Sequence, residues 1–337
     1  MLAPLAGEGA FGFRDDAALL DVSGDGGLVV TTDTIVEGVH FLPDDPWLAD
    51  KLIGVNRSDV LAKGAVPFAF TLSMCLPSNW TDARQRAFAD DLARAARAAG
   101  LALLGGDTTR SPGPLMLGAT MFGRPVEVDG APRYVSRLGA KVGDVVALLG
   151  PVGDAAIATA HATGALSDEG IDLPALLRSA SDPDALAKLE DARLRPDPSA
   201  ATAPLVAGFA SAAMDVSDGL LGDLAKLAAA SGVAVEIDCD RVPLSSTVRH
   251  LLARADVGSD DTLRRIALTG GDDYVALVII PPNRLDAATD AAADLALDGA
   301  FGIHPFGTVT GPAEAGAPLV RDVGRDLSRW GPLSYEH

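Results

Sequence analysis

Cysteine, aromatic residues and positive charge are all scarce in this chain, and each shortage closes off a class of function. Cys75 and Cys239 are the only cysteines. They stand far apart with no CxxC pair, so neither a thiolate zinc site nor a disulfide framework is expected, and a reducing cytoplasm suits the chain. His40, His161, His250, His304 and His337 show no HxxxH or HxH spacing, which argues against a zinc hydrolase. Lys and Arg number 27 against 46 Asp and Glu, a formal net charge of -19. General nucleic-acid binding needs a basic footprint and is not expected. No apolar run reaches the roughly 18 residues of a membrane span, and MLAPLAGEGA lacks both a basic region and a long apolar core. A soluble, unexported protein with no membrane partner is therefore expected. Also missing are GxxxxGK[ST], a GxGxxG after a strand, and GxSxG, so any nucleotide must be held without a P-loop or a dinucleotide fold. With aromatics at 5% of a chain that is 48% hydrophobic, the core must rest on Ala, Val and Leu.

What the chain does have is aspartate, most of it where a strand-like run stops. These residues are Asp15 and Asp16 in RDDAALL, Asp33 in VVTTDT, Asp59 in VNRSDV, Asp107 in LLGGDTT, and Asp215 and Asp218 in AAMDVSDGL. One such aspartate is a turn former or a helix cap. Five such turns point to carboxylates gathered in one place. Two carboxylates about 4 Å apart repel by roughly 1–4 kcal/mol, so a cation must offset them. A hard dication with oxygen ligands fits, and Mg²⁺ usually arrives with phosphates. GGDTT reads either as a tight turn or as a glycine turn whose N–H groups approach a phosphate beside Asp107. MDVSDGL places Asp215 at a strand end and Ser217-Asp218 at a helix start, where a cap and an anion site both suit. TTDT adds the hydroxyls of Thr31 and Thr32 to Asp33.

At 337 residues the chain is comfortable for two α/β domains. The pattern predicts a hairpin from AALLDV to LVVTTDT through SGDGG, a helix over 50–64, a buried strand FAFTLSMCLP, and a helix over 82–99 capped by Thr81 or Asp82. LALLGGDTT reads as a strand running into a glycine turn. The polar passage APRYVSRLGAKVGD marks a boundary, which gives domains 1–135 and 136–337. Beyond it, VVALLG, AAMD, VAVEIDC, IALTGGDDYVALVII and FGTVTG complete a mixed sheet. LLGDLAKLAAAS reads as a helix ended by Gly232. Residues 165–198 read as a helical excursion and loop at the surface.

In order, RDDAALL, TTDTIVEGVHF, VNRSDVLAKGA, LLGGDTT, SRLGAKVGD, RLRPDPS, MDVSDGLLGDL and LTGGDDY resemble the thiamine-monophosphate kinase family, within the aminoimidazole ribonucleotide synthetase superfamily. The likeness runs from about residue 10 to the C-terminus, and VEGVHF favours the kinase over its relatives. The resemblance implies an α/β (α+β) two-domain fold of mixed sheets packed with helices, with the N-terminal domain dimerising as a homodimer. It implies transfer of the ATP γ-phosphoryl group to thiamine monophosphate, with ATP as co-substrate and several Mg²⁺ ions. Asp15, Asp16, Thr31, Thr32, Asp33, Asp59, Asp107, Asp215 and Asp218 fall on metal positions. Gly106, Asp107, Arg137 and Ser217 fall on nucleotide contacts, and His40, Asp272 and Tyr335 on substrate contacts. No general base is implied, because the attacking phosphate is already ionised. The alternatives are another ATP-using member of the superfamily and a regulatory paralogue that binds nucleotide without turnover.

The chain departs from the family pattern in a few places. The helical segment the family usually carries before RDDAALL is expected to be absent or cut short. Arg14 stands where the family often has Gly. Asp272 replaces the Glu of GGEDY, and Val275 replaces a second Glu. The family ending survives as Ser334-Tyr335-Glu336-His337, with Trp330 as the other aromatic that a substrate ring could stack on.

Overall fold

The computed structural model describes residues 14–15, 17–20, 26–178, 182–256, 258–295 and 301–334. The chain divides into two compact units. The first runs through Val135 and takes in Leu194–Gly208; the second comprises Ser136–Arg193 and the chain from Phe209 onward.

The first unit holds β1 (Ala18–Leu20), β2 (Leu28–Val36), α1 (Leu48–Ala62), β3 (Ala65–Pro77), α2 (Asp82–Ala98), β4 (Ala102–Ser111), β5 (Met116–Val128) and β6 (Ala131–Arg133). Its sheet runs β1-β2-β5-β3-β4, with β6 paired to β5. Only β3 and β4 pair in parallel. The alternation of β2, with Val29, Thr31 and Ile35 buried, is what a half-covered strand requires. The helix covering it is α1, which packs against β2, β5 and β3. It comes this close because β5 has Gly123 beneath it; a Cβ there would sit 2.2 Å from a Val60 methyl. Lys51, Asn56, Ser58 and Asp59 of α1 are buried beside Leu52, Ile53 and Val60. A helix buried on all sides does not show an amphipathic stripe, and these polar residues mark where it does more than pack. The returning segment closes over α1. Arg57 donates to Asp197 at 3.0 Å, and the Pro196 carbonyl lies where a Cβ on Gly54 would be, 2.1 Å away.

The second unit holds β7 (Val145–Leu148), α3 (Asp154–Ala162), α4 (Ala165–Asp168), α5 (Leu173–Leu177) and α6 (Ala185–Leu194). After α7 (Thr202–Phe209), which lies largely in the returning segment, come β8 (Ala212–Asp215), α8 (Leu220–Ser231), β9 (Val233–Ile237), α9 (Ser246–Arg254), α10 (Ser259–Thr269), β10 (Ala276–Ile280), α11 (Leu285–Leu295), β11 (His304–Pro312) and β12 (Val320–Asp322). The sheet order is β12-β9-β11-β7-β10-β8, antiparallel except for β12 on β9. Its core joins Val146, Leu148, Met214, Leu277 and Ile279 of the sheet to Leu220, Leu224 and Leu227 of α8. These are aliphatic side chains, as the scarcity of aromatics requires.

Three expectations are corrected. GGDTT is not a turn: β4 continues through it, with Gly106 opposite Leu72 and Asp107 opposite Ser73. A Cβ on Gly106 would fall 2.0 Å from the Leu72 carbonyl, so this glycine serves close strand approach. IALT is helical rather than a strand, because Leu263, Ala267 and Leu268 bury one face of α10. Residues 165–198 are anchored and not merely superficial, since Leu166, Leu173 and Leu189 are fully buried. The SGDGG turn lies mostly outside the described residues. Among the described residues no helix is long and apolar enough to cross a membrane.

Candidate functional site

In the first unit, β2 and α1 build one oxygen-rich surface. Thr31 and Asp33 alternate with Thr32 along β2 and so point to the opposite face of the sheet from it. On the α1 side, Thr31 Oγ1 donates to Asp59 Oδ2 at 2.5 Å, and Asp33 N–H donates to Asn56 Oδ1 at 3.1 Å. Asn56 and Asp59 are one helical turn apart and therefore share the face that meets β2. Thr31 and Asp59 are buried, whereas Asp33 is half-exposed. Thr32 sits elsewhere: its hydroxyl donates to the Ala119 carbonyl at 3.0 Å and accepts from Thr120 at 3.1 Å. Its side chain is thus removed from the Asp33 face, and only its main chain can serve there.

Asp107 and Gly106 lie on β4, an edge strand with nine of its ten residues exposed. Across the sheet, Asp33 is opposite Ala119, Ala119 opposite Leu72, and Leu72 beside Gly106. Three strand spacings, about 14 Å, therefore separate β2 from β4. Asp33 and Asp107 of one chain cannot hold the same ion directly. Among the described residues, no three His, Cys, Asp or Glu side chains come close enough together to hold one ion.

The second member of RDDAALL, Asp16, lies outside the described residues. Its neighbour Asp15 is occupied within the first unit: Lys63 Nζ donates to Oδ1 at 2.6 Å and Tyr134 Oη to Oδ2 at 2.8 Å. Both side chains of the Asp15–Lys63 pair are fully buried. Asp15 thus pins the turn to the end of α1 and has both oxygens engaged by protein donors.

His40 is fixed by its own loop. Val36 N–H donates to Nδ1 at 3.1 Å. An acceptor Nδ1 in the neutral ring leaves the proton on Nε2.

In the second unit, DVSDGL and TGGDDY lie against each other. Asp272 N–H donates to the Ser217 carbonyl at 2.7 Å, and Tyr274 N–H to the Val216 carbonyl at 2.8 Å. A Cβ on Gly271 would fall 2.1 Å from the Ser217 oxygen. Gly271, Asp272 and Tyr274 all have positive φ, at 71°, 68° and 53°. Positive φ is costly for aspartate and tyrosine and persists where the surroundings over-determine the backbone, as at ligand sites. Asp215 ends β8, buried and paired across the ladder with Ala276.

The start of α8 differs from a free anion site. Asp223, from inside the helix, accepts the N–H groups of both Ser217 and Asp218 at 2.9 Å. Lys226 Nζ donates to Asp223 Oδ1 at 2.8 Å and to Asp218 Oδ2. The N–H groups of Ser217 and Asp218 are thus taken, and Ser217 can meet a ligand through its hydroxyl. Burial pushes the Asp223 carboxyl up to about 6, against the opposing pull of Lys226. Asp223 and Lys226 escaped sequence reading because an Asp three positions into a helix looks like ordinary first-turn chemistry. The Asp223–Lys226 spacing of one turn was the available signal.

Asp273 is a second residue the motif alone did not single out. Its Oδ1 accepts the Gly153 N–H at 2.7 Å, while its buried Oδ2 has no hydrogen-bond partner. Burial raises its carboxyl well above the ordinary range, and the neighbouring Asp154, Asp272 and Asp223 push the same way. Its contribution to stability is therefore complete below the unfolded carboxylate value and is lost as pH climbs toward the raised folded value. Asp273→Asn, which mimics the protonated form, is expected to melt at a higher temperature than the parent at pH 8. The gap should close below about pH 4, near the unfolded carboxylate value. Thermal unfolding across that range checks it, and a gap independent of pH would contradict it.

Arg137 is half-buried in the chain before β7, and its carbonyl accepts the Ser231 hydroxyl at 2.7 Å. Tyr335 lies outside the described residues. Trp330 is no substitute for it as a stacking surface, because it is buried and its Nε1 donates to Asp261 Oδ2 at 3.2 Å.

The chain matches the domain family of AIR synthase related protein, N-terminal domain, over residues 14–124, and the corresponding C-terminal domain over 141–304. It is 35% identical over 287 residues to the thiamine-monophosphate kinase of Caulobacter vibrioides, covering 84% of this chain and 75% of that one. To the Salmonella typhimurium thiamine-monophosphate kinase it is 36% identical over 322 residues, covering 92% and 87%. Among solved structures it is similar to the thiamine-monophosphate kinase of Stenotrophomonas maltophilia, at 34% identity and TM-score 0.71, covering 92% and 90%. It shares the fold of AaThiL complexed with AMPPCP and TMP, at 24% identity and TM-score 0.76, covering 100% and 94%.

Proposed function

The chain belongs to the thiamine-monophosphate kinase family, and from that premise we propose that it transfers the γ-phosphoryl group of ATP directly to the phosphate of thiamine monophosphate, yielding thiamine diphosphate. The observation that carries this reading is the seam in the second unit, where Asp272 N–H meets the Ser217 carbonyl at 2.7 Å. It holds the nucleotide-side residues Ser217 and Asp218 beside the acceptor-side residue Asp272. An in-line transfer between two phosphates gains most from such fixed alignment.

The donors fit Mg²⁺ in kind. Asp33, Asp59, Asp215 and Asp218, with Asp107 and Asp16, offer hard oxygens only, and phosphate oxygens complete such shells. Mg²⁺ held by the carboxylates of either unit would neutralise phosphate charge and align phosphate oxygens. The protein's residues do the rest. Thr31 holds the Asp59 carboxylate in place, and Asn56 holds the β2 main chain at Asp33. Lys226 and Asp223 set the direction of Asp218. Arg137 offers a planar guanidinium to phosphate, and His40 offers its Nε2–H to the acceptor. No side chain needs to remove a proton, since the acceptor phosphate is ionised.

A homodimer through the first unit fits the exposure of β4, whose Leu103 and Leu104 are 52% and 64% exposed. The separation of β2 from β4 supports the same reading: Asp107 would serve a nucleotide held with the partner's help. The free Cys75 and Cys239 fit a reducing cytoplasm.

Incubation with ATP, Mg²⁺ and thiamine monophosphate, with thiamine diphosphate measured, tests the reading; ATP binding without product would overturn it. His40→Ala is expected to raise the KM for thiamine monophosphate about tenfold, the loss of one hydrogen bond to a charged or polar group, with the KM for ATP little changed. A change confined to ATP would contradict the assignment of His40 to the acceptor.

A further inference from the structure

A cleft of about 750 Å³ in the second unit lies outside the residues assigned above. Its size is that of a small-molecule site. In a chain of net charge -19 its lining is cationic: Arg241, Arg249 and Arg264 face it together with His304. The one acidic residue of the lining, Asp240, is already matched by Arg264 at 3.2 Å and Arg325 at 2.9 Å. Arg249 uses one N–H on the Leu244 carbonyl, which leaves the rest of its fork. Among the described residues the Arg241 side chain has no hydrogen-bond or ion-pair partner, and it is exposed. The other walls are apolar, formed by Pro151, Pro243 and Leu252.

Arg264 is compensated by Asp240 and also donates to the Cys239 carbonyl at 3.2 Å, whereas Arg241 and Arg249 have no carboxylate partner among the described residues and repel one another unless an anion joins them. Arginine forks match phosphate oxygens in pairs, and weak hydration makes guanidinium suited to partly enclosed sites. The apolar walls favour a ligand with an uncharged body. We propose that this cleft binds a small organic phosphate, its phosphate held by Arg241 and Arg249 and its apolar body lying on Pro151, Pro243 and Leu252. The cleft is tied to the rest of the unit through Val152 N–H, which donates to the Pro243 carbonyl at 3.0 Å, and Ser245 Oγ, which donates to Asp154 at 2.5 Å.

The test is calorimetric titration of the whole protein with 1-naphthyl phosphate and with inorganic phosphate. Chelator is present and Mg²⁺ absent, so that the aspartate-rich surface repels both probes. 1-Naphthyl phosphate is expected to bind, to bind at least tenfold tighter than inorganic phosphate, and to lose at least tenfold in affinity in Arg241→Ser/Arg249→Ser. Arg241→Lys/Arg249→Lys keeps the charge and should retain part of the affinity, and thermal unfolding confirms that both variants are folded. Absence of binding, or equal affinity in the parent and the serine variant, overturns the site. Equal affinity for the two phosphates overturns the role of the apolar walls.

Discussion

Asp33→Asn is expected to lower thiamine diphosphate formation by more than about 100-fold, beyond the loss seen for groups that only support a metal ligand. The substitution keeps the shape of the side chain and removes its charge. Asp33 is half-exposed, and its main-chain N–H, not its carboxylate, makes the bond to Asn56. The substitution is isosteric and the site is half-exposed, so the fold should be retained. Because carboxylates set against phosphates need a cation between them, the residual activity should demand more Mg²⁺. Thr32→Val provides the contrast. Its hydroxyl is bound to Ala119 and Thr120 on the other face of the sheet, so its activity should stay within a few-fold of the parent. Near-normal turnover of Asp33→Asn at limiting Mg²⁺, or a Thr32→Val loss as large, would reverse the assignment of the two faces of β2.

The largest stability effect is expected at Lys63. Its ammonium and the Asp15 carboxylate meet at 2.6 Å, both fully buried. Removing Lys63 leaves the buried Asp15 charge without its counter-ion and with the neutral Tyr134 hydroxyl as a donor, at a cost of about 3–5 kcal/mol. Lys63→Met should destabilise the protein by that amount in urea unfolding, a large part of a typical total of about 5–15 kcal/mol. The double replacement Asp15→Leu/Lys63→Met removes both charges and should recover most of the loss, because two well-packed apolar groups replace a desolvated pair. If the double variant is as unstable as Lys63→Met alone, the ion pair is not what holds the first turn to α1. The same geometry gives Asp15 a structural duty. Asp15 has Lys63 and Tyr134 on its two oxygens.

Much was legible in the chain before its fold. Hydrophobic period and glycine stops placed α2 and α8 within a residue or two, with Thr81 capping the first and Gly232 ending the second. The run of aspartate motifs pointed to an oxygen-ligand, phosphate-handling protein, because carboxylates beside glycine, serine and threonine leave few other chemistries. Less legible were the residues whose meaning depends on what lies opposite. Gly106 looked like a turn glycine and is a strand glycine, because only the pairing of β4 with β3 brings the Leu72 carbonyl over it. Thr31 and Thr32 looked equivalent and are divided by the pleat of β2.

Composition and local pattern by themselves pointed to a chain of mixed helices and strands and to an aliphatic core, since each follows from residue type and spacing along the chain. Tertiary structure alone decided which donors are available. It engaged Asp15 with Lys63, gave the N–H groups of Ser217 and Asp218 to Asp223, and set Asp33 and Asp107 three strands apart. A carboxylate can be named from sequence, but whether it faces a ligand, a lysine or a helix end depends on groups distant in the chain.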